Sequence, residues 1–388
     1  MRKISYPCAV AMIASFALVA SAADEKTSVK LPASAISARV GESAANEAHA
    51  AMNRSIDWLL KKQNPDGSWS NTNFPALTAL PLWALVAGGC ENKDAIDRAA
   101  KFLLARAHDD GAIFQDGKSG GLRNYNTALS MIALHATGRA DAVPVVQKAR
   151  RFLASMQHVE SDEYKGGMGY DSAAGRNSAD LSNSYVSFEA MRLTRGVEDL
   201  RNETDPHADL DWKAAQDFLA RIQNCRAGDP DSEKGGFAYS PTESKSGTFT
   251  NADGTVHFRS YGSMTYAGLL SLIYADVSKD DPRVKSAFDW SVKHFSLDEN
   301  PGMGQQGYFY FTSILSKSLG AYGQDILVLP DGKKINWREE LINKLVNLQK
   351  IENGQGYWIN EANRWQEGDP VLVTSYSIIA LAIATGSK

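Results

Sequence analysis

Cysteine is scarce, with three in 388 residues. Cys8 falls inside an apolar N-terminal run, which leaves Cys90 and Cys225 for the rest of the chain. Two cysteines by themselves cannot make a zinc-ribbon site. They allow one disulfide, a pairing that spacing alone does not establish. Positive charge is not in excess either. The 41 Lys and Arg residues against 45 Asp and Glu give a formal charge of −4, so nucleic-acid binding has no electrostatic basis. Beyond the N-terminus, no segment approaches the roughly 20 apolar residues that span a bilayer. No Cys/His cluster is present, and no metal or other cofactor is expected.

The apolar run that does exist lies at the start. Arg2 and Lys3 precede an apolar stretch over 4–19, and Ala20-Ser21-Ala22 supplies small residues for cleavage. That order predicts a signal peptide over 1–22, cut after Ala22, and hence a secreted or periplasmic protein. Residues 23–50, rich in Ala, Ser and Lys, read as a leader ahead of an organised domain over 51–388.

Self-similarity organises the remainder. One anchor is a helix with an aromatic-Leu pair, then Gln, then a Gly-aromatic turn. It reads Trp58-Leu59, Gln63 and Gly67-Ser68-Trp69, then Phe152-Leu153, Gln157 and Gly169-Tyr170. It continues as Phe218-Leu219, Gln223 and Gly236-Phe237, and closes with Leu345, Gln349 and Gly356-Tyr357-Trp358. Degenerate copies surround Phe102 and Trp290. A second anchor places Leu or Met seven residues after Thr or Ser: Thr78/Leu85, Thr127/Leu134, Ser184/Met191, Thr265/Leu272, Thr312/Leu319 and Thr374/Leu381. Six copies of each, interleaved, predict six helical hairpins.

The two helix sets differ in polarity. Segments 53–62, 97–106, 148–156 and 213–222 carry one apolar stripe, whereas 77–86, 127–136 and 371–384 are apolar nearly all round. An outer ring packed on one side around a buried inner ring satisfies both patterns. The expected fold is therefore all-α, an α/α toroid of six helical hairpins with inner and outer rings. Short β-hairpin insertions are expected at 248–258 and 326–335. The repeat Gln should bond carbonyls at the outer helix end and in the following turn. The Gly permits the reversal, and the aromatic plugs the seam between hairpins.

A helix ending in Gln followed by Gly-x-Trp resembles the prenyltransferase/squalene oxidase repeat of the squalene-hopene and oxidosqualene (terpene) cyclases. Related repeats occur in protein prenyltransferase β subunits. The resemblance covers roughly 51–386 and implies the toroid, with a small apolar or isoprenoid-like ligand in a central funnel. In those cyclases the acid precedes the inner-helix Thr in a DxDD-Thr pattern and protonates an alkene or epoxide. Here the nearest match is Asp180-Leu181-Ser182-Asn183-Ser184, which keeps only the first acid. Asp180 is thus the candidate catalytic acid, with a helix cap as its structural alternative. The zinc ligands of the prenyltransferases would map to Tyr308, Tyr310 and Val373, so none remains. Lys93 stands where a complement-type thioester needs Gln.

Residues preceding the inner helices should line one mouth. The candidate ligand-binding set is Arg123, Tyr125, Asn126, Asn183, Arg259, Tyr261, Tyr308, Tyr310 and Trp358, an aromatic and hydrogen-bonding group. Glu189 and Lys317 fall on otherwise apolar inner helices and should pair or face the cavity. Asp229, Asp231 and Glu233 alternate like calcium ligands, but Lys234 and Ser240 occupy the turn and twelfth positions. Three functions fit: a cyclase-like enzyme on an isoprenoid, a non-catalytic extracytoplasmic binding or scaffold protein, and a polysaccharide-active lyase-like enzyme.

Overall fold

The computed structural model describes residues 39–117, 122–171, 178–226, 228–251 and 253–386. The expected signal peptide and most of the leader lie outside them.

Six hairpins follow one another, outer helix first: α1 (Glu42–Lys62) and α2 (Ala76–Ala87), α3 (Lys93–Leu104) and α4 (Arg123–Ala136), α5 (Val143–Ser155) and α6 (Leu181–Leu193). The second half continues with α7 (Trp212–Ile222) and α8 (Gly262–Tyr274), α9 (Pro282–Lys293) and α10 (Tyr308–Tyr322), α11 (Trp337–Leu348) and α12 (Pro370–Thr385). Each inner helix packs on the next, and α12 packs back on α2, closing the ring. The organised chain begins before residue 51, because α1 starts at Glu42 and buries Ala48.

Local signals start the outer helices. The side chains of Asn92, Asp211, Asp281 and Asn336 each accept a backbone N–H of the first turn, which removes one orphan donor per helix. The outer helices bury one stripe. The inner helices bury almost every position, as in α8, where all residues from Gly262 to Tyr274 are buried.

The repeat anchors have definite roles. The Gln amide bonds the turn carbonyl, as expected, but its second acceptor lies on the neighbouring repeat rather than on its own helix. Gln63 Nε2 donates to Gly67 O and to Ala95 O of α3. Gln157 donates to Gly166 O and Asp211 O, and Gln223 to Gly235 O and Arg283 O. The outer-helix carbonyl is instead satisfied by the plug, where Trp69 Nε1 donates to Leu59 O and Trp358 Nε1 to Leu345 O, both at 2.8 Å. The second-anchor hydroxyl accepts the plug's backbone N–H: Trp69 on Thr78, Ile113 on Thr127, Met168 on Ser184, Phe237 on Thr265 and Trp358 on Thr374.

This register corrects the third copy. Its glycine is Gly166, with φ +90°, and its plug is Met168, not Gly169-Tyr170. Met fills irregular gaps without an aromatic signature, which hid the match and leaves Tyr170 free for another role.

Three antiparallel hairpins decorate the ring: β1 (Thr248–Thr250) with β2 (Val256–Phe258), β3 (Ile326–Val328) with β4 (Lys334–Asn336), and β5 (Lys350–Glu352) with β6 (Gln355–Tyr357). The third was not expected, although Asn353-Gly354, both at positive φ, is a strong two-residue hairpin signal. Cys90 and Cys225 are both free thiols, so the disulfide that the sequence allowed is not formed. No described helix is long and apolar enough to cross a membrane.

Candidate functional site

The N-termini of the inner helices gather at one mouth, where the following repeat caps the preceding helix. Ala76 N donates to Asn126 Oδ1 at 3.0 Å, Asn124 N to Tyr170 O, and Leu181 N to Tyr239 O at 2.8 Å. Ser263 N donates to Asn300 Oδ1 at 2.9 Å, and Tyr310 N to Glu367 Oε1 at 2.7 Å. Each bond satisfies a helix-end donor and joins two repeats. Sequence reading missed this belt because its acceptors lie in the next repeat, about 37 to 58 residues away.

Two clusters result. The first centres on Asp180, the N-cap of α6, only 4 % exposed. Its Oδ1 accepts Asn183 N at 2.8 Å and its Oδ2 accepts Asn183 Nδ2 at 2.9 Å. The Tyr239 hydroxyl also bonds the carboxyl, and Tyr170 and Tyr239 hydroxyls meet at 3.1 Å. Burial pushes the Asp180 pKa up to about 6, against the pull of Asn183 and Tyr239. Asp180 is thus a cap and also a group that gains and loses its proton near pH 6. Tyr261 is buried as well, and burial together with the Asp180 charge holds its hydroxyl well above the usual tyrosine range.

The second cluster occupies the axis. Ser182, at the middle acid position of the cyclase pattern, bonds Tyr310 OH at 3.2 Å. The Tyr125 hydroxyl joins the same pair, and burial pushes its pKa up to about 12. Tyr310 meets Tyr376 edge-on, with ring centroids 5.9 Å apart. Below them Lys317 Nζ lies 3.0 Å from Glu189 Oε2 and 4.2 Å from the Trp83 ring centroid. Tyr185 and Tyr274 hydroxyls donate to the same carboxylate. Glu189 and Lys317 therefore both pair and line the axis.

The axial cavity between these groups has a volume of ≈ 10 Å³, about the room of one water. Pockets for small organic ligands run roughly 300–1,000 Å³. The expected central funnel is accordingly closed by tyrosines in this structure.

The remaining candidates do not join either cluster. Asn126 caps α2. Tyr308 donates to Leu297 O, and Trp358 is a fully buried plug. Arg123 pairs with Asp110 and lies over the Phe114 ring. Arg259 pairs with Glu233 and bonds Thr248 O. Asp180 and Asn183 come together; Tyr261 is the buried N-cap residue of α8; Tyr125 and Tyr310 form the axial plug. Tyr170 and Tyr239 are the site residues that sequence reading left out. The alternating carboxylates of the insertion are engaged separately, Asp229 with His257 at 3.0 Å and Glu233 with Ser260 N at 2.7 Å. Among the described residues no His/Cys/Asp/Glu group is arranged to hold a metal ion.

No sequence profile of a known family and no curated protein matches the chain. Solved structures do share its fold. The type II terpene cyclase MstE from Scytonema, bound to its product merosterolic acid A, superposes with TM-score 0.53 at 14 % identity, covering 89 % of this chain and 99 % of that one. The GH76A α-1,6-mannanase of a Salegentibacter species gives TM-score 0.55 at 14 % identity, over 88 % and 99 %. Protein geranylgeranyltransferase-I of Candida albicans gives 0.50 at 12 %, over 87 % and 90 %. The chain is an α/α toroid of the architecture shared by terpene cyclases, a glycosidase and a prenyltransferase.

Proposed function

We propose that this protein is an extracytoplasmic binding toroid that engages its ligand at the mouth and does not drive cyclisation down its axis. The observation that carries this reading is Ser182. It stands where the cyclase pattern places its proton-donating acid, and its hydroxyl is tied to Tyr310. A serine hydroxyl cannot protonate an alkene, and the space below it is closed. The basic, apolar and small-residue order over 1–22 supports export. What the mouth presents instead is the Tyr170 and Tyr239 hydroxyl pair, backed by the buried Asp180, a set that donates, accepts and stacks. Retention of a ligand by the mature protein, weakened by Tyr170→Phe with Tyr239→Phe and unaffected by Ser182→Ala, is the expected result. Binding lost in Ser182→Ala and kept in the tyrosine pair would overturn the placement.

One observation favours a second reading. Asp180 titrates near 6, is buried, and contacts a tyrosine pair, the equipment of a general acid acting on a mouth-bound ligand. Turnover of any bound ligand that disappears in Asp180→Asn, with binding kept, would establish it. Unaltered turnover in that variant would remove it.

A further inference from the structure

Trp365 is the one exposed tryptophan among the described residues, at 47 %. It sits in the loop between β6 and α12, in the left-handed region at φ 56° and ψ 35°, and Gln366 follows at φ 66°. A bulky side chain rarely adopts that backbone, and it persists only where its surroundings over-determine it. Here they do. Gly368 N donates to Asn363 Oδ1 at 2.8 Å, Asp369 N to Gln366 O at 2.9 Å, and Asn360 Nδ2 to Gln305 O at 2.7 Å. The indole also rests against Gly307, where an added Cβ would come within 3.1 Å of the ring. The fold therefore holds an apolar ring out to solvent in a fixed pose.

The surroundings decide what that ring can meet. Asn363, Arg364 and Gln366 flank it and are exposed; Arg364 bonds the Gln306 side chain and lays its guanidinium over one face of the indole, 4.3 Å from the ring centroid. Docking of a protein or a lipid surface calls for a contiguous apolar patch, and the neighbours of Trp365 in the loop are polar. A polyanion is disfavoured as well, because Arg364 is the single cation over 361–369 against Glu361, Glu367 and Asp369. The opposite face of the rigid indole, edged by planar amides, fits a ligand with C–H faces and hydroxyl edges. The loop borders the mouth already described, since Glu367, two residues on, accepts Tyr310 N at the start of α10 at 2.7 Å.

We infer that Trp365 is a stacking platform for a pyranose ring, and that the mouth ligand is a carbohydrate whose chain crosses from Trp365 toward Tyr170 and Tyr239. This rests on the mouth-binding reading and names its ligand class. The C–H face of the sugar packs on the indole face opposite Arg364, while the Gln306 and Asn363 amides take hydroxyls.

The test is titration of the mature chain with α-1,6-mannotriose, cellotetraose and maltotetraose, followed by tryptophan emission and calorimetry, with geranylgeraniol as the apolar arm. At least one saccharide should bind saturably and shift the emission. Trp365→Ala should weaken that binding by about tenfold, and Trp365→Tyr should restore most of it. Circular dichroism of both variants should match the parent, since the side chain is exposed. Binding of geranylgeraniol with none of the saccharides overturns the ligand class, as does no binding of any saccharide. Saccharide binding that is unchanged in Trp365→Ala but lost in Tyr170→Phe with Tyr239→Phe overturns the platform and leaves the mouth reading standing.

Discussion

Gln349 Nε2 donates to Ala51 O at 2.9 Å across a separation of 298 residues. The same amide bonds Ser55 Oγ at 2.8 Å, and its oxygen accepts Arg54 Nη2 at 2.7 Å. The last repeat thereby meets the first through the same Gln that links the others. An open solenoid would leave its terminal repeats unpaired; here the contact makes the chain a ring.

Replacing Gln349 by Ala should therefore act as a seam mutation. Loss of hydrogen bonds that leaves inward-facing acceptors unmet costs about 1–3 kcal/mol. The urea midpoint should fall accordingly, and hydrogen exchange should quicken first in α1 and α11. Uniform quickening around the ring would contradict a localised seam.

The turn glycines set a sharper contrast. A Cβ on Gly166 would lie 2.0 Å from Ala214 O, on the next outer helix, at φ +90°. Gly89 has φ +76° with nothing within 4 Å. Gly89→Ala should cost about 1–2 kcal/mol from backbone strain alone. Gly166→Ala should cost several kcal/mol more, because the two repeats cannot move apart without opening the ring. Equal thermal shifts for the two variants would refute the close-approach explanation.

Much of this was legible in the sequence because each repeat restates it. The polarity difference between helix sets, the Gln and the hydroxyl anchor all recur, so one degenerate copy does not hide the ring. What did not recur was not legible. Met168 replaces an aromatic and shifted the third turn by three residues, which concealed Tyr170 as a mouth residue. Asn126, Asn300 and Glu367 cap helices of a different repeat, a relation that no local spacing encodes. Ser182 and Tyr310 are 128 residues apart, so closure of the axis could be read only in three dimensions.

The axial pair should behave as a coupled unit. Lys317 and Glu189 are both buried, and burial lowers the Lys317 pKa while Glu189 opposes that shift. Removing one partner strands a charge and should cost about 3–5 kcal/mol, whereas Glu189→Leu with Lys317→Met should cost much less than the sum. Denaturant unfolding of the four proteins in a double-mutant cycle reads this directly. Additive losses would show that the two charges do not depend on each other.

The Asp180 carboxyl makes stability depend on pH. Its folded pKa, about 6, lies above the ordinary value of 3.8, so the folded state holds this proton more tightly than the unfolded chain does. The associated stability is fully present below about pH 4 and is lost as pH rises through about 6. A shift of this size corresponds to about 3 kcal/mol. Asp180→Asn should flatten the melting temperature between pH 4 and 7, whatever constant offset the substitution introduces. A variant that keeps the parent slope would assign the dependence to another group.

The most direct test of the closed axis is chemical. The purified protein, incubated with squalene and with geranylgeraniol across pH 5 to 7 and extracted for mass spectrometry, should return both substrates unchanged. A cyclic product formed by the parent protein and abolished in Asp180→Asn would contradict the account, because it would require both an open axis and a working proton donor.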